Sequence, residues 1–344
     1  MITMGFLDDA KNLGKSVKDQ VGVKVEEKMD AKNDDATPVV PVIRIENAHD
    51  FCHNSDKQAL EALQKVPLID TVMKKMDKYW SSHMLKMNNL ASNIKLGPNQ
   101  LPEIYNLLPP ICDYFGIEEP DFYITLDPNP NAFAQGVDQF SITVTSGLLE
   151  MCSAEELTPV IAHEVGHIVC NHMMYHQMGL YIASVGASLG GASQLALAGL
   201  ESAYNYWSRC SEFSADRAAA LYLKDAAPVV NMMVKLSGGS KVFGEINVQE
   251  YFNQAVEYER LKTAEVRSKV AHYAETLMTD HPLNAVRAFE IEKWCQTDEF
   301  KQLIAKGNLK TEVVREHIFC TDCGAKNVNE SKFCSGCGKN LEVA

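Results

Sequence analysis

Residues 163–167 spell HEVGH, and the types and spacing of these side chains suit metal-dependent hydrolysis. Because an α-helix has about 3.6 residues per turn, His163 and His167 lie one turn apart on one face, where both imidazoles can bind one ion. Glu164 lies beside His163, within reach of a water on that ion. Zinc lowers the pKa of such a water towards roughly 7, so the motif predicts a zinc peptidase with Glu164 as general base.

A buried helix must hold these residues. Ser153 and Glu156 have the spacing of a capping box, which predicts a helix start before the motif. Apolar residues then fall on several faces of that helix, as expected of a buried one. They are Leu157, Val160, Ile161, Val165, Ile168 and Val169. Burying two histidines and a glutamate is costly unless a metal satisfies them.

A catalytic zinc also needs a third protein ligand, and a helix predicted over Tyr204–Lys224 offers one. Glu212 and Asp216 are four residues apart and share a face of this helix. Two histidines and a glutamate form a ligand set that leaves one position for water. Asp216 can hold the free ring nitrogen of a ligand histidine, and Arg209 can neutralise part of the cluster. The alternative, solvated carboxylates on a surface helix, agrees poorly with the aromatic residues and alanines around them.

Several motifs in one order resemble the family of HtpX heat-shock proteases and CAAX prenyl endopeptidases. They are HEVGH at 163–167, EFSAD at 212–216 and HPLNAVR at 281–287, preceded by NAFAQG and ITVTSGLLE. The resemblance covers roughly residues 55–295. It implies a zinc metallopeptidase fold and activity.

The resemblance also implies a role for individual residues. It implies His163, His167 and Glu212 as zinc ligands and Glu164 as catalytic base. By the same resemblance His281 lies near the substrate carbonyl, and Arg287 braces that segment, although a histidine before a proline in a turn is structural by default. His172 and His176 come five and nine residues after His167. They are expected to extend the active helix and to lie off its ligand face, at the surface or at most against a ligand.

The remaining segments predict a mainly helical α+β fold, a zincin-like domain with a small antiparallel sheet. Asp121–Leu126 and Gln139–Thr145 have the composition of strands and precede the zinc helix. An open strand edge there can bind a peptide substrate as an added strand; a plain structural hairpin is the alternative. Helical patterns surround this sheet. They cover Asp56–Ser92, Leu101–Tyr114 with a break at Pro109–Pro110, Val248–Met278 and Asn284–Lys293.

The stretch Met178–Leu200 is long and apolar enough to suggest a membrane span. We expect none, because the chain must return to the zinc site and two crossings need roughly 40 residues plus a turn. The membrane-bound members of the family carry clear transmembrane helices, and we expect none here. The resemblance therefore does not imply a membrane-protein or prenylated substrate for this chain. A buried helical hairpin is favoured for this stretch, and a peripheral membrane contact is the alternative. Residues 1–35 predict a polar, amphipathic segment. A frayed or loosely packed terminal helix is favoured there, and a helix that binds a membrane surface or a partner is the alternative.

Near the carboxyl terminus stand two similar Cys-x₂-Cys-Gly knuckles. Their cysteines are Cys320, Cys323, Cys334 and Cys337. Four thiolates close a tetrahedral zinc site, so they predict a structural zinc ribbon whose folding energy comes from the metal. A protein partner is the favoured contact of this ribbon. The predicted cofactors are therefore two zinc ions, one catalytic and one structural.

Composition bounds the class of protein. The chain has 344 residues, 46% hydrophobic residues and a formal net charge of −13, which argues against a nucleic-acid partner. Six of its ten cysteines are scattered singly, which indicates a reducing cytoplasm. We expect segment 1–35, a peptidase domain over 36–297, a linker over 298–315 and the ribbon over 316–344. The predicted function is a metalloendopeptidase acting on peptides or proteins. The alternative is a catalytically silent scaffold that binds partners through its ribbon.

Overall fold

A computed structural model describes residues 50–67, 69, 72–73, 82–137, 139–185, 192–264, 283–305, 317–319 and 326–328. The predicted class, mainly helical α+β, is confirmed. The helices up to the HEVGH motif are α1 (Asn54–Gln64), α2 (Ser82–Ser92), α3 (Pro102–Tyr105), α4 (Leu108–Phe115), α5 (Ser146–Met151) and α6 (Ala154–Val169). Those after it are α7 (Met173–Val185), α8 (Ala192–Leu223), α9 (Ala227–Gly238), α10 (Val248–Ala264), α11 (Asn284–Cys295) and α12 (Asp298–Ala305).

A small mixed sheet precedes the HEVGH helix. Its strands are β1 (Ile94–Lys95), β2 (Asp121–Thr125), β3 (Ala132–Gln135) and β4 (Ser141–Thr145), in the spatial order β1-β2-β4-β3. β1 and β2 are antiparallel, as are β3 and β4, but β2 runs parallel to β4. The expectation of a wholly antiparallel sheet is therefore wrong for β2 and β4. The reason is β3, which sequence patterning did not mark as a strand: the chain reverses twice between β2 and β4.

The helix α6 begins at the predicted capping box. The hydroxyl of Ser153 accepts from the amide of Glu156 at 3.4 Å, and the Glu156 carboxylate accepts from the amide of Ser153 at 2.8 Å. The Glu156 carboxylate also pairs with Lys235 of α9 at 2.6 Å. Residues 161–168 of α6 are all buried. The sequence thus places the HEVGH motif in the centre of the domain.

Helix α6 packs closely on α8, and Gly166 makes this approach possible. A methyl group built at Gly166 would lie 2.7 Å from the β-carbon of Ala218 and 3.0 Å from the carbonyl oxygen of Ala215. Both alanines are fully buried. Small residues on both helices therefore bring α8, with Glu212 and Asp216, against the two histidines of α6.

Two helix boundaries differ from expectation. Pro109 and Pro110 lie in the first turn of α4 and do not break it, because proline is tolerated where the amides have no helical acceptor. Residues 298–305, predicted as part of a polar linker, form α12. Its Phe300 and Leu303 are buried in the main core, so the linker cannot begin at residue 298.

The apolar stretch Met178–Leu200 is described on both sides of residues 186–191. Apolar residues from these two described parts join residues of α1 and the rest of α8 in one buried cluster. It contains Leu63, Met178, Ile182, Leu197, Leu200 and Trp207. These contacts agree with the buried hairpin in the described residues. In the described part of the chain, no helix is both long and apolar enough to cross a bilayer.

Several predicted features lie outside the described residues. These are segment 1–35, His281, and the ribbon cysteines Cys320, Cys323, Cys334 and Cys337. Near the cysteines, β5 (His317–Phe319) and β6 (Lys326–Val328) form an antiparallel pair in which His317 lies opposite Val328.

Candidate active site

The side chains of His163, His167 and Glu212 converge. The two histidine Nε2 atoms lie 3.1 Å apart. The Nε2 of His163 lies 3.4 Å from Glu212 Oε2, and that of His167 lies 3.3 Å from Glu212 Oε1. All three residues are buried. Thus α6 and α8 together bring two imidazole nitrogens and one carboxylate to a single point.

These separations fit a tetrahedral metal site. Zinc–ligand bonds of about 2.0–2.1 Å at tetrahedral angles put neighbouring ligand atoms about 3.3 Å apart. The observed contacts bracket that value: 3.1 Å between the two imidazole nitrogens, and 3.3 and 3.4 Å from these nitrogens to the two separate oxygens of Glu212. The donor set of two imidazoles and a carboxylate is therefore suited to a zinc-sized ion in both chemistry and spacing.

Asp216 and Arg287 support the first imidazole and the carboxylate. His163 Nδ1 lies 2.9 Å from Asp216 Oδ1, so this ring can donate to Asp216 while Nε2 faces Glu212. The guanidinium of Arg287 donates to Asp216 from Nε at 2.8 Å and from Nη2 at 2.6 Å, and its Nη1 lies 2.9 Å from Glu212 Oε2. Arg287, on α11, therefore ties the third helix of the site to both carboxylates. Arg209 is half-buried one turn before Glu212 on α8.

The carboxylate of Glu164 faces the edge strand β3. Its Oε2 accepts a hydrogen bond of 2.8 Å from the amide of Ala134, and the residue is 3% exposed. Since β3 is the outer strand of the described sheet, its far edge is the one that faces α6. Glu164, the acid next to His163, thus lies between the convergent donors and the outer edge of β3.

The second histidine has a support that sequence reasoning missed. His167 Nδ1 lies 2.9 Å from Nδ1 of His172, whose Nε2 lies 3.0 Å from Asp56 Oδ2. The prediction that His172 extends the active helix is wrong, because α6 ends at Val169. The signal available in the sequence is Asn171, a residue that often ends helices. Asp56 carries no such local signal, because it lies more than 100 residues from its partner.

Electrostatics make a divalent cation the natural partner of this cluster. Burial lowers the pKa of His167 to about 3, so its imidazole is neutral. Burial would also lower the pKa of His163, but hydrogen bonds with Asp216 and Glu212 raise it to about 10. With both rings neutral, the carboxylates of Glu164, Glu212 and Asp216 and the guanidinium of Arg287 leave two uncompensated negative charges. A divalent cation bound there would neutralise these charges and would take the place of the proton on His163.

The ion pair with Arg287 keeps Asp216 charged despite its burial. Burial raises the pKa of a carboxyl group, but Arg287 and His163 hold the pKa of Asp216 below its usual value. Burial likewise opposes the charge on Arg287, and Asp216 and Glu212 raise its pKa above its usual range. The supports of the site are therefore ionised at neutral pH.

A cavity of about 290 Å³ opens beside His163 and Glu164. Much of its wall is apolar. The apolar side chains include Leu148, Val160, Val229, Met232, Met233 and Leu236. Asn131 and Ala132, at the start of β3, also line it. The cavity thus joins the acid, one histidine and the edge strand, and it can hold an apolar side chain.

Comparison with known proteins agrees with this geometry. The model of Peptidase family M48 matches residues 100–295, a range that contains the HEVGH, EFSAD and HPLNAVR motifs. The plastoglobule-localized metallopeptidase 48 of Arabidopsis thaliana is 29% identical over 270 residues, 78% of this chain and 78% of that protein.

Bacterial relatives match over shorter ranges. A protease HtpX homolog of Tropheryma whipplei is 32% identical over 145 residues, 42% of this chain and 48% of its own. One from Caldanaerobacter subterraneus is 42% identical over 92 residues, 26% of this chain and 30% of its own. The chain thus spans half or less of these two HtpX relatives. No solved structure matches it. The family match over more than half of the chain shows that this protein is a metallopeptidase belonging to peptidase family M48.

Proposed function

We propose that the protein is a zinc-dependent endopeptidase in which His163, His167 and Glu212 hold the catalytic metal and Glu164 is the general base. The observation that supports the proposal is the convergence of three buried side chains, two imidazoles and one carboxylate, whose Nε2 and carboxylate oxygen atoms make contacts of 3.1 to 3.4 Å. Bound there, zinc would polarise the substrate carbonyl and make water a stronger nucleophile.

Glu164 is suited to move the proton. Its carboxylate lies beside the donor cluster, and the amide of Ala134 fixes one of its oxygens. It takes a proton from the attacking water and passes it to the amine of the leaving peptide. Asp216 and Arg287 keep the ligand side chains aligned. His281 stays a proposal drawn from the resemblance, as an additional donor to the carbonyl oxygen.

The edge of β3 and the apolar cavity support a proposal for the class of substrate. We propose that a peptide binds along β3 as an added strand, so that main-chain hydrogen bonds give affinity without regard to side chains. The cavity beside Glu164 then selects for a large apolar side chain next to the cleaved bond, because Met232 and Met233 contribute flexible apolar walls. The substrate is therefore an unfolded or extended protein segment.

The remaining proposals concern the ends of the chain and its location. Cys320, Cys323, Cys334 and Cys337 are proposed to hold a structural zinc in a ribbon that docks a protein partner. We propose that the enzyme acts in the cytoplasm and that any membrane contact is peripheral. Sedimentation with anionic lipid vesicles tests for a peripheral membrane contact. The name of the Arabidopsis relative places that relative in plastoglobules.

A digest with matched variants tests the proposed chemistry. Purified wild type, Glu164→Gln and Glu155→Gln are incubated with casein and with a peptide library. Glu155 is an exposed acid in the first turn of the same helix, so its variant controls for the loss of a charge on α6. We expect Glu164→Gln to reduce kcat/KM by about 10²–10⁴-fold, the contribution typical of a general base, with zinc content unchanged. Equal activity of Glu164→Gln and wild type would exclude Glu164 as the base. Zinc-loaded wild type that cleaves nothing would favour the scaffold.

A further inference from the structure

The turn that ends α6 carries His172 back against His167. Asn171 has a φ of +60°, in the left-handed region. The amide of His172 donates to the carbonyl oxygen of His167 at 3.0 Å, and the amide of Asn171 donates to that of Ile168 at 3.0 Å. These are the two bonds of a Schellman cap. The main chain therefore fixes the position of His172 relative to His167.

The ring of His172 bridges His167 and Asp56. Its Nδ1 lies 2.9 Å from His167 Nδ1, and its Nε2 lies 3.0 Å from Asp56 Oδ2. His172 is 1% exposed and Asp56 is 3% exposed, so water does not compete for these contacts. A continuous row of buried groups thus runs from Asp56 on α1 to the Nε2 of His167.

Asp56 sets the direction of the hydrogen bonds in this row. The indole of Trp207 donates to Oδ1 at 3.0 Å, and the hydroxyl of Ser214 donates to Oδ2 at 2.6 Å. An ionised carboxylate can only accept, so His172 must donate to it from Nε2. A neutral imidazole with its proton on Nε2 accepts at Nδ1, so in this arrangement His167 donates to His172 from its own Nδ1. This leaves the lone pair of His167 on Nε2, which faces Glu212.

We propose that His172 and Asp56 are positioning residues that fix the tautomer and orientation of His167 as a metal ligand. The inference rests on the ligand set proposed above. It gives the two ligand histidines different supports: His163 contacts the carboxylate of Asp216 directly, whereas His167 reaches Asp56 through a second imidazole. Groups that hold the second ring nitrogen of a ligand histidine contribute about 10–100-fold to metal affinity.

The variant Asp56→Asn tests the direction of the row without changing its shape. Its amide has one oxygen and one NH₂ group, and Trp207 requires the oxygen. The NH₂ group therefore faces the Nε2 of His172, which must then accept and present N–H to His167. His167 can accept that hydrogen bond only with its proton on Nε2, where the metal should bind. We expect zinc affinity at the catalytic site to fall about 10–100-fold.

Two substitutions of His172 provide a second route to the same answer. His172→Phe keeps an aromatic ring but removes both nitrogens, and it should weaken zinc binding to a similar degree. His172→Asn restores an oxygen where Nδ1 stood and should recover part of the affinity. Asp121→Asn is the matched control, since this acid pairs with Lys86 and Lys95. It should leave zinc affinity unchanged.

Zinc affinity is measured on the full chain by competition with a chelator, and the ribbon equivalent is identified by its loss in Cys334→Ser. The unfolding free energy of the zinc-stripped protein is measured in parallel. If zinc affinity falls more in Asp56→Asn and His172→Phe than in the Asp121→Asn control, the positioning role is supported. Unchanged affinity with lower stability would reduce His172 and Asp56 to a structural contact. If wild type binds no zinc outside the ribbon, the proposed function itself fails.

His167, His172 and His176 also lie close enough together to hold a cation. If His172→Phe removes one whole zinc equivalent and another remains bound through Glu212, that cation site replaces the positioning role.

Discussion

The substitution Gly166→Ala tests whether close packing of α6 on α8 builds the metal site. The added methyl would lie 2.7 Å from the β-carbon of Ala218. Ordinary contacts between carbons are about 3.5–4.0 Å, so the helices must separate by about 1 Å. The neighbours are a β-carbon and, at 3.0 Å, the carbonyl oxygen of Ala215, and no side-chain rotation can move either of them away.

Two opposing contributions set the stability of Gly166→Ala. Overpacking costs about 1–3 kcal/mol. Replacing glycine by alanine inside a helix contributes about 1 kcal/mol of stability. The zinc-stripped variant should therefore lose about 0–2 kcal/mol of unfolding free energy. Zinc affinity should fall much more, because α8 carries Glu212 and a shift of about 1 Å is half the length of a zinc–oxygen bond.

Denaturant unfolding of the zinc-stripped protein and chelator competition measure the two effects separately. Gly199→Ala is the matched control: Gly199 lies exposed on α8, and an added methyl there meets nothing within 4 Å. It should raise stability by about 1 kcal/mol without changing zinc affinity. Adding Ala218→Gly to Gly166→Ala should restore part of the affinity. Full zinc affinity in Gly166→Ala would refute the reasoning that this contact sets the donor spacing.

Three further outcomes follow from named contacts. Arg287→Met should lower the unfolding free energy by about 3–5 kcal/mol, because it leaves two buried carboxylates without their guanidinium; a loss below 1 kcal/mol in denaturant titration would contradict this. Burial alone would raise the pKa of Asp121, but hydrogen bonds and ion pairs with Lys95 and Lys86 outweigh it and hold the pKa below its usual value. The two ion pairs therefore stabilise the fold fully above about pH 4, and this stabilisation is lost as the pH falls through the lowered pKa. The stability difference between wild type and Asp121→Asn should thus shrink as the pH falls from 7 to 3, and an unchanged difference would count against the ion pairs. Met232→Trp should narrow the apolar cavity and shift cleavage, read by mass spectrometry of products, towards smaller side chains; an unchanged cleavage profile would remove the cavity from substrate selection.

Local signals in the sequence predicted much of helix α6. The Ser153–Glu156 capping box, the apolar faces of α6 and the four-residue spacing of Glu212 and Asp216 each act within one or two turns. Such signals are readable because helix caps and helix faces depend on neighbours in the chain. The mutual approach of α6 and α8 follows from Gly166, whose role appears only with the opposing alanines.

Features that depend on distant contacts were not predicted from the sequence. The strand β3 is four residues long and has no β-branched residue, so its pairing with β4 decides its structure. The link from His172 to Asp56 joins residues 116 positions apart. The end of α6 at Val169 was missed because apolar residues and histidines continue beyond it, although Asn171 already marks the turn. Long-range pairing thus decided both the mixed sheet and the second support of the site.

The most direct test of the proposed metal centre is the zinc affinity of Glu212→Ala in a Cys334→Ser background, where the catalytic equivalent is the only one expected. Glu201→Ala is the control, because Glu201 is an exposed acid on the same helix. We predict one tightly bound zinc in the background protein and in the control, and a loss of at least about 100-fold in affinity when Glu212 is removed. Equal zinc affinity in all three proteins would contradict the proposal that α6 and α8 together hold the metal.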